Sequence, residues 1–333
     1  MLRAANPWWS RRRRASWVLD DPELVQRARH PWAPATSAAR TELADLGHRP
    51  LPRTVTLVVG PRGVGKTTAV KDVVAHLVAD PAVDPRCVVL VPALRRDDER
   101  WVTLLDGDAL TTVLRAPTRA GAPACDGPRV LVVDEVGTVT GWPAALATAC
   151  TRGDQVIATT SVLDPADLAA LEGALPEGSV RVRHLRPSSL AEILLASPAG
   201  ATGDVRTAYL RHGGLPRAVA EHRALGDVST GFVHDLVDGL RHDVCRGDDR
   251  HAVDVLLSAL CATTDRFVEP AALAAALGLA PAEVTGLLRR LEQAHVLDPH
   301  RGLVDPLLHR LPSLVAPGSH TAPTPDHIAT FSH

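Results

Sequence analysis

The stretch Val55-Thr56-Leu57-Val58-Val59-Gly60-Pro61-Arg62-Gly63-Val64-Gly65-Lys66-Thr67-Thr68 decides the fold. A β-branched apolar run feeds a glycine-rich turn, and the turn opens a helix that continues through Val78. Strand, then Gly-x4-Gly-Lys-Thr, then helix is the context a phosphate-binding loop needs. Gly60, Gly63 and Gly65 let the backbone curl so that successive N–H groups point inward at a phosphate, with Pro61, Arg62, Val64 and Thr68 completing the cradle. The helix that begins near Gly65 adds its positive dipole end and its unpaired N–H donors to the same spot. Lys66 reaches the β- and γ-phosphates as a point charge, and the Thr67 hydroxyl is placed to ligate Mg²⁺.

Lysine usage sharpens this reading. Of the 36 Lys and Arg residues only Lys66 and Lys71 are lysine. A chain that uses arginine almost everywhere yet keeps lysine here is using the compact ammonium, which a planar fork does not replace.

The chain has 333 residues, enough for two or three domains, and its 45% hydrophobic and 22% charged content is ordinary for a globular protein. A formal net charge of −2 argues against a protein that coats nucleic acid generally, so any such contact is a local patch. Cys87, Cys125, Cys150, Cys245 and Cys261 are odd in number and widely spaced, without a Cys-x-x-Cys pair. They read as reduced thiols of a cytoplasmic protein and not as a disulfide or metal framework. No apolar run reaches the length of a membrane span. The Arg11–Arg14 run is followed too soon by Asp20 and Asp21 to be an export signal.

Residues 1–50 form a lead-in rich in tryptophan and arginine, with Trp8, Trp9, Trp17 and Trp32 read as packing an N-terminal arm onto the main domain in preference to walling off an adenine ring. Residues 51–186 alternate strand and helix. The candidate strands Thr54–Val59, Cys87–Val91, Val130–Asp134, Gln155–Thr159 and Val180–Leu185 are short continuous apolar runs, as parallel strands buried on both faces should be. Residues 106–128 read largely as a mobile surface loop. Residues 187–248 hold helices only and read as a small helical lid domain. Residues 249–312 offer three helices and a hairpin over Val296–Val304, a winged-helix pattern, and residues 313–333 read as a disordered tail.

A phosphate loop alone does not say what happens to a nucleotide. The apolar strand Val130-Leu131-Val132-Val133 ends in Asp134-Glu135. That places Asp134 near the Mg²⁺ and aims Glu135 at the γ-phosphate, where a carboxylate can orient and deprotonate an attacking water. The additional strand between loop and acid pair matches the ATPase branch of P-loop proteins. Thr159-Thr160-Ser161 ends the next strand, and Thr160 is the residue expected to hydrogen-bond the γ-phosphate or the water. An ordinary capped strand end is the competing reading.

These features resemble the prokaryotic AAA+-type ATPases related to the STAND and origin-recognition groups. The resemblance covers roughly residues 5–225. It rests on the Asn6-Pro7-Trp8 opening, the Gly60–Thr68 loop, Val132-Val133-Asp134-Glu135-Val136 with Trp142 downstream, and Thr159-Thr160-Ser161. Leu185-Arg186-Pro187-Ser188-Ser189 and Tyr209-Leu210-Arg211-His212-Gly213-Gly214-Leu215-Pro216 complete it. It implies an α/β parallel-sheet P-loop core followed by a helical lid and a winged helix. It also implies that Gly214 and Pro216 bend the lid over the nucleotide. Relatives often carry Thr-Gly-Ser-Ser where this chain has Thr159-Thr160-Ser161-Val162, so the altered sensor implies slow hydrolysis. No arginine finger is assigned, Arg152 being only a guess.

Two function classes follow. The first is an ATP-hydrolysing switch in which the lid moves a winged helix that contacts a protein partner or DNA, with Arg289, Arg290 and Arg301 as the thin positive patch. Oligomers are compatible with it. The second is a P-loop kinase acting on a small substrate, which the Asp134-Glu135 pair and the C-terminal helices fit poorly. A nucleotide-binding regulator with lost hydrolysis is the blander alternative.

Overall fold

A computed structural model describes residues 2–10, 12, 14, 16–29, 43, 45–46, 51–97, 100–197, 202–245, 250–262, 269–298 and 302–311. Trp32, Arg301 and the tail 313–333 lie outside these residues. The chain divides into two units, Met1–Gly60 with Gly65–Arg186 and Pro61–Val64 with Pro187–His333.

The first unit is built on a five-stranded parallel sheet of β1 (Thr54–Val59), β2 (Val88–Pro92), β5 (Val130–Asp134), β6 (Gln155–Thr160) and β7 (Val180–His184). Their order is β2-β5-β6-β1-β7. All positions of β6 are buried, as are the last five of β1. That is why these strands are apolar without alternation. Helices Lys66–Ala79, Trp142–Thr151 and Pro165–Gly173 form as the apolar spacing predicts. Leu57, Val59, Leu131, Val133, Leu146 and Val156 belong to the shared core.

The edge strand β2 is covered by side chains of the N-terminal arm. Asn6 acts as a substitute strand residue, its Nδ2 donating to Leu90 O (2.8 Å) and its Oδ1 accepting from Leu90 N (2.6 Å). The indoles of Trp8 and Trp9 both donate to Val88 O, at 3.2 and 3.0 Å. Trp8 and Trp17 are buried with ring centroids 4.8 Å apart. The tryptophans described are therefore packing residues. Lys71 ties the arm to the loop helix through Asp21 Oδ2 (2.7 Å) and Glu23 Oε2 (2.6 Å). Burial works against its charge, but the two carboxylates more than offset this and hold its pKa above the ordinary value.

Two expectations are corrected here. Within residues 106–128, the first part is not loop. Asp106 caps a helix over Gly107–Arg115 by accepting from Ala109 N at 2.7 Å, and Leu110 and Leu114 are wholly buried one turn apart. Asp106-Gly107-Asp108 is the helix start. An antiparallel pair precedes it, β3 (Leu94–Asp97) with β4 (Arg100–Thr103). The cysteines are not all thiols either. Cys87 and Cys125 form a disulfide with Cα atoms 5.4 Å apart, while Cys150, Cys245 and Cys261 remain thiols. A separation of 38 residues concealed the pairing, because only the sheet brings the start of β2 beside the segment that leads into β5.

The second unit is helical, with Leu190–Leu195, Thr202–His212, Pro216–Leu225 and Thr230–Val244 followed by Arg250–Ala262, Pro270–Leu277 and Pro281–Gln293. After these, Leu297 and Leu303 form one antiparallel bridge. Gly213 and Gly214 make a crowded joint. A side chain on Gly213 would collide with the Asp305 carboxylate, and one on Gly214 with the Ser188 carbonyl. Asp305 Oδ2 accepts from Gly214 N at 2.7 Å and Oδ1 from Leu307 N at 2.9 Å. Ser188 N donates to Gly214 O at 2.9 Å and Tyr209 Oη to Ser188 O at 3.1 Å. No single described helix is long and apolar enough to cross a membrane.

Candidate active site

The phosphate loop leaves β1 at Gly60 and enters its helix at Lys66. Gly63 and Gly65 hold φ of +83° and +95°, the left-handed region in which a side chain is strained, so both glycines are required by backbone shape. Lys66 is buried, and its ammonium donates to Gly60 O at 3.0 Å, folding back over the turn. It also stands 3.3 Å from Glu135 Oε1. Thr67 follows, its hydroxyl 3.1 and 3.0 Å from the two carboxylate oxygens of Asp134.

Strand order explains this meeting. β6 pairs with β1 on one side and with β5 on the other, so Asp134 and Glu135 stand one strand removed from the loop. The end of β6 fills the gap. Thr159 Oγ1 donates to Asp134 Oδ1 at 2.6 Å and accepts the Glu135 amide at 2.8 Å. Burial, and then the neighbouring Glu135 charge, raise the Asp134 pKa, while the hydroxyls of Thr159 and Thr67 pull it back. Glu135 sits at φ +58° and ψ +49°, an uncommon conformation for glutamate, at the sharp turn out of β5.

Thr160 is oriented differently from its neighbours. Its hydroxyl donates to Val162 O at 2.5 Å and accepts Val162 N at 3.1 Å, and it packs where Gly137 leaves room. Thr159 and Ser161 take the acid pair instead, because successive strand side chains point to opposite faces. That alternation was the available signal.

Arg62 and Gly63 belong to the second unit. The Arg62 guanidinium forks onto Asp243, with Nε 2.9 Å from Oδ2 and Nη2 on Oδ1. A side chain on Gly239 would collide with the arginine. Gly214 meets Ser188 and Asp305 as described, and Pro216 is the first residue of its helix. In the C-terminal helices Arg289 is exposed and Arg290 half-buried.

The donor set at Thr67 and Asp134 is oxygen only, which suits a hard divalent cation such as Mg²⁺. A fixed ammonium, an oxygen pair for a metal and an adjacent carboxylate together suit phosphoryl transfer.

Among known families, residues 52–194 match the model described as an AAA domain, over less than half of the chain. No curated protein matches the sequence. Among solved structures, the Aeropyrum pernix ORC2 protein in its ADPNP–ADP complexes is similar with a TM-score of 0.39 and 16% identity, over 84% of this chain and 91% of that chain. The Aeropyrum pernix ORC1 protein in complex with DNA gives 0.36 and 13%, with coverage of 84% and 91%. Likenesses this distant carry no argument about function.

Proposed function

We propose that this chain, whose residues 52–194 match the model described as an AAA domain, binds ATP with Mg²⁺ and hydrolyses it as a molecular switch. The observation that carries the reading is the meeting of Lys66 with Glu135 at 3.3 Å and of Thr67 with Asp134 at 3.0 Å. Gly60, Gly63 and Gly65 cradle the phosphates with backbone amides, and Lys66 adds a positive charge to the β- and γ-phosphates. Thr67 and Asp134 would hold Mg²⁺. When bound, the ion supplies charge against the phosphate oxygens. Glu135 accepts a proton from the attacking water as the new O–P bond forms and the β,γ-bridging bond breaks, with its electron pair leaving on ADP.

The helices after Arg186 are the lid in this reading, and Gly214 and Pro216 at its turn report nucleotide state. The Arg62–Asp243 fork supports it, since it fastens a residue of the glycine-rich turn to helix Thr230–Val244. Three helices and the Leu297–Leu303 bridge are consistent with a winged helix. Its Pro281–Gln293 helix carries Arg289 and Arg290 but also Glu283 and Glu292, a mixed surface that favours a protein partner over DNA.

The test is phosphate release. Glu135→Gln should lower it by about 10²–10⁴-fold while ATP still binds. Release that Glu135→Gln leaves unchanged would remove Glu135 from the mechanism, and a wild type that binds ATP without turnover would make the chain a non-hydrolysing regulator. Duplex binding that falls with salt and is lost in Arg289→Ala with Arg290→Ala would assign the winged helix to DNA.

A further inference from the structure

The tip of the phosphate loop, Pro61–Val64, belongs with the second unit, although Gly60 before it and Gly65 after it belong with the first. Gly63 lies against Leu215, Phe232 and Leu236, which come within 3.6, 3.9 and 3.7 Å of where a side chain would begin, and Val64 is buried. Arg62 adds a polar contact. Its guanidinium forks onto Asp243, and the two side chains are 8% and 1% exposed. Asp243 is the penultimate residue of helix Thr230–Val244, where a carboxylate opposes the helix dipole and, once buried, needs a cation. One turn earlier on the same face is Gly239, whose missing side chain leaves the room that the arginine stem occupies.

We propose that Arg62 is a positioning residue for nucleotide binding, one that holds the loop tip through Asp243 in the shape the phosphates require. Affinity for ATP then depends on helix Thr230–Val244. This rests on the nucleotide-binding reading above and deepens it, because the helix becomes part of the scaffold of the phosphate loop. A glycine-rich loop held only at its ends samples many backbone shapes, and binding must select the few in which its amides converge. A bidentate fork onto a buried acid removes that freedom beforehand. Both chain crossings between the units here, Gly60–Pro61 and Val64–Gly65, are peptide bonds of the loop itself. A displacement of the helix thus reaches the phosphate cradle through the backbone, without a separate relay.

The assignment is tested in the full chain by the equilibrium Kd for ATP with Mg²⁺ and by the melting temperature without nucleotide. Removing one member of a buried pair strands the other, so the informative variant is Arg62→Met/Asp243→Val. It replaces both with apolar groups of comparable size and should melt at or above the wild-type temperature. Its ATP Kd should rise about tenfold, since an apolar contact does not fix the direction of the loop. Arg62→Lys keeps the charge without the fork and should weaken binding by a smaller factor. Gly239→Ala leaves both charged groups in the chain but displaces the arginine, and should also weaken binding although alanine is the better helix former. An ATP Kd unchanged in the double variant, or one that follows the melting temperature from variant to variant, overturns the assignment and leaves Arg62–Asp243 a structural ion pair. A wild type that binds no ATP overturns the nucleotide reading and this assignment together, whereas one that binds without turnover overturns hydrolysis alone.

Discussion

Asp305 is almost wholly buried, and burial pushes its carboxyl up to about 6 although the amides of Gly214 and Leu307 oppose the shift. In an unfolded chain aspartate titrates near about 3.9, so the folded protein holds this proton more tightly. Its contribution to stability is therefore fully present below about pH 4 and is lost as pH rises to about 6, a span of about 3 kcal/mol. Urea unfolding between these pH values, at fixed ionic strength, should show stability falling with pH, and Asp305→Asn should flatten that slope. The joint also marks a limit of sequence reading. Gly213-Gly214 is legible as a turn, but its partner stands 91 residues away from Gly214 and carries no local signal. The residues at the end of β6 and just beyond it fail for a different reason. Thr160 and Ser161 are equally polar in the sequence, and only the side to which each points separates a strand-end hydrogen bond to Val162 from a hold on Glu135.

Four of the five parallel strands and the loop helix were legible because burial on both faces forces continuous apolar runs, and because a glycine turn and a helix start are chemically distinctive, whereas β7 (Val180–His184) alternates with arginine and has no buried position. What escaped were short elements with little local signal. Helix Gly107–Arg115 depends on one cap and two buried leucines, and β3–β4 lies in a stretch whose charges conceal its pairing. The covering of β2 belongs to the same class. Asn6 is one polar residue among apolar neighbours, yet it satisfies both the N–H and the C=O of Leu90. Asn6→Ala would leave those groups and Leu2 O without their amide partner, in a site from which water is excluded. We expect a loss of about 2–3 kcal/mol, measured by denaturant unfolding. Asn6→Asp should be no better, since a carboxylate cannot donate to Leu90 O.

Over the whole chain, the bond between Cys87 and Cys125 closes a loop that contains β2, β3, β4 and helix Gly107–Arg115. A loop of this size constrains the unfolded chain by about 4 kcal/mol on the chain-entropy estimate. Dithiothreitol should lower the unfolding midpoint of the wild type by an amount approaching this, and should leave Cys125→Ala unaffected. Equal responses would mean that the bond contributes nothing to stability. The two lysines have a consequence of their own, one that concerns reagents. Lys66 and Lys71 are the only side-chain amines in the chain, with side chains 3% and 13% exposed, and each faces a carboxylate. Acylating agents, which modify most proteins at many sites, have two internal targets here, one at the phosphate loop and one at the N-terminal arm. Bound nucleotide would shield the first and spare the second. The ratio of the two acylated peptides thus becomes an internal gauge of site occupancy, with the arm lysine as its built-in reference.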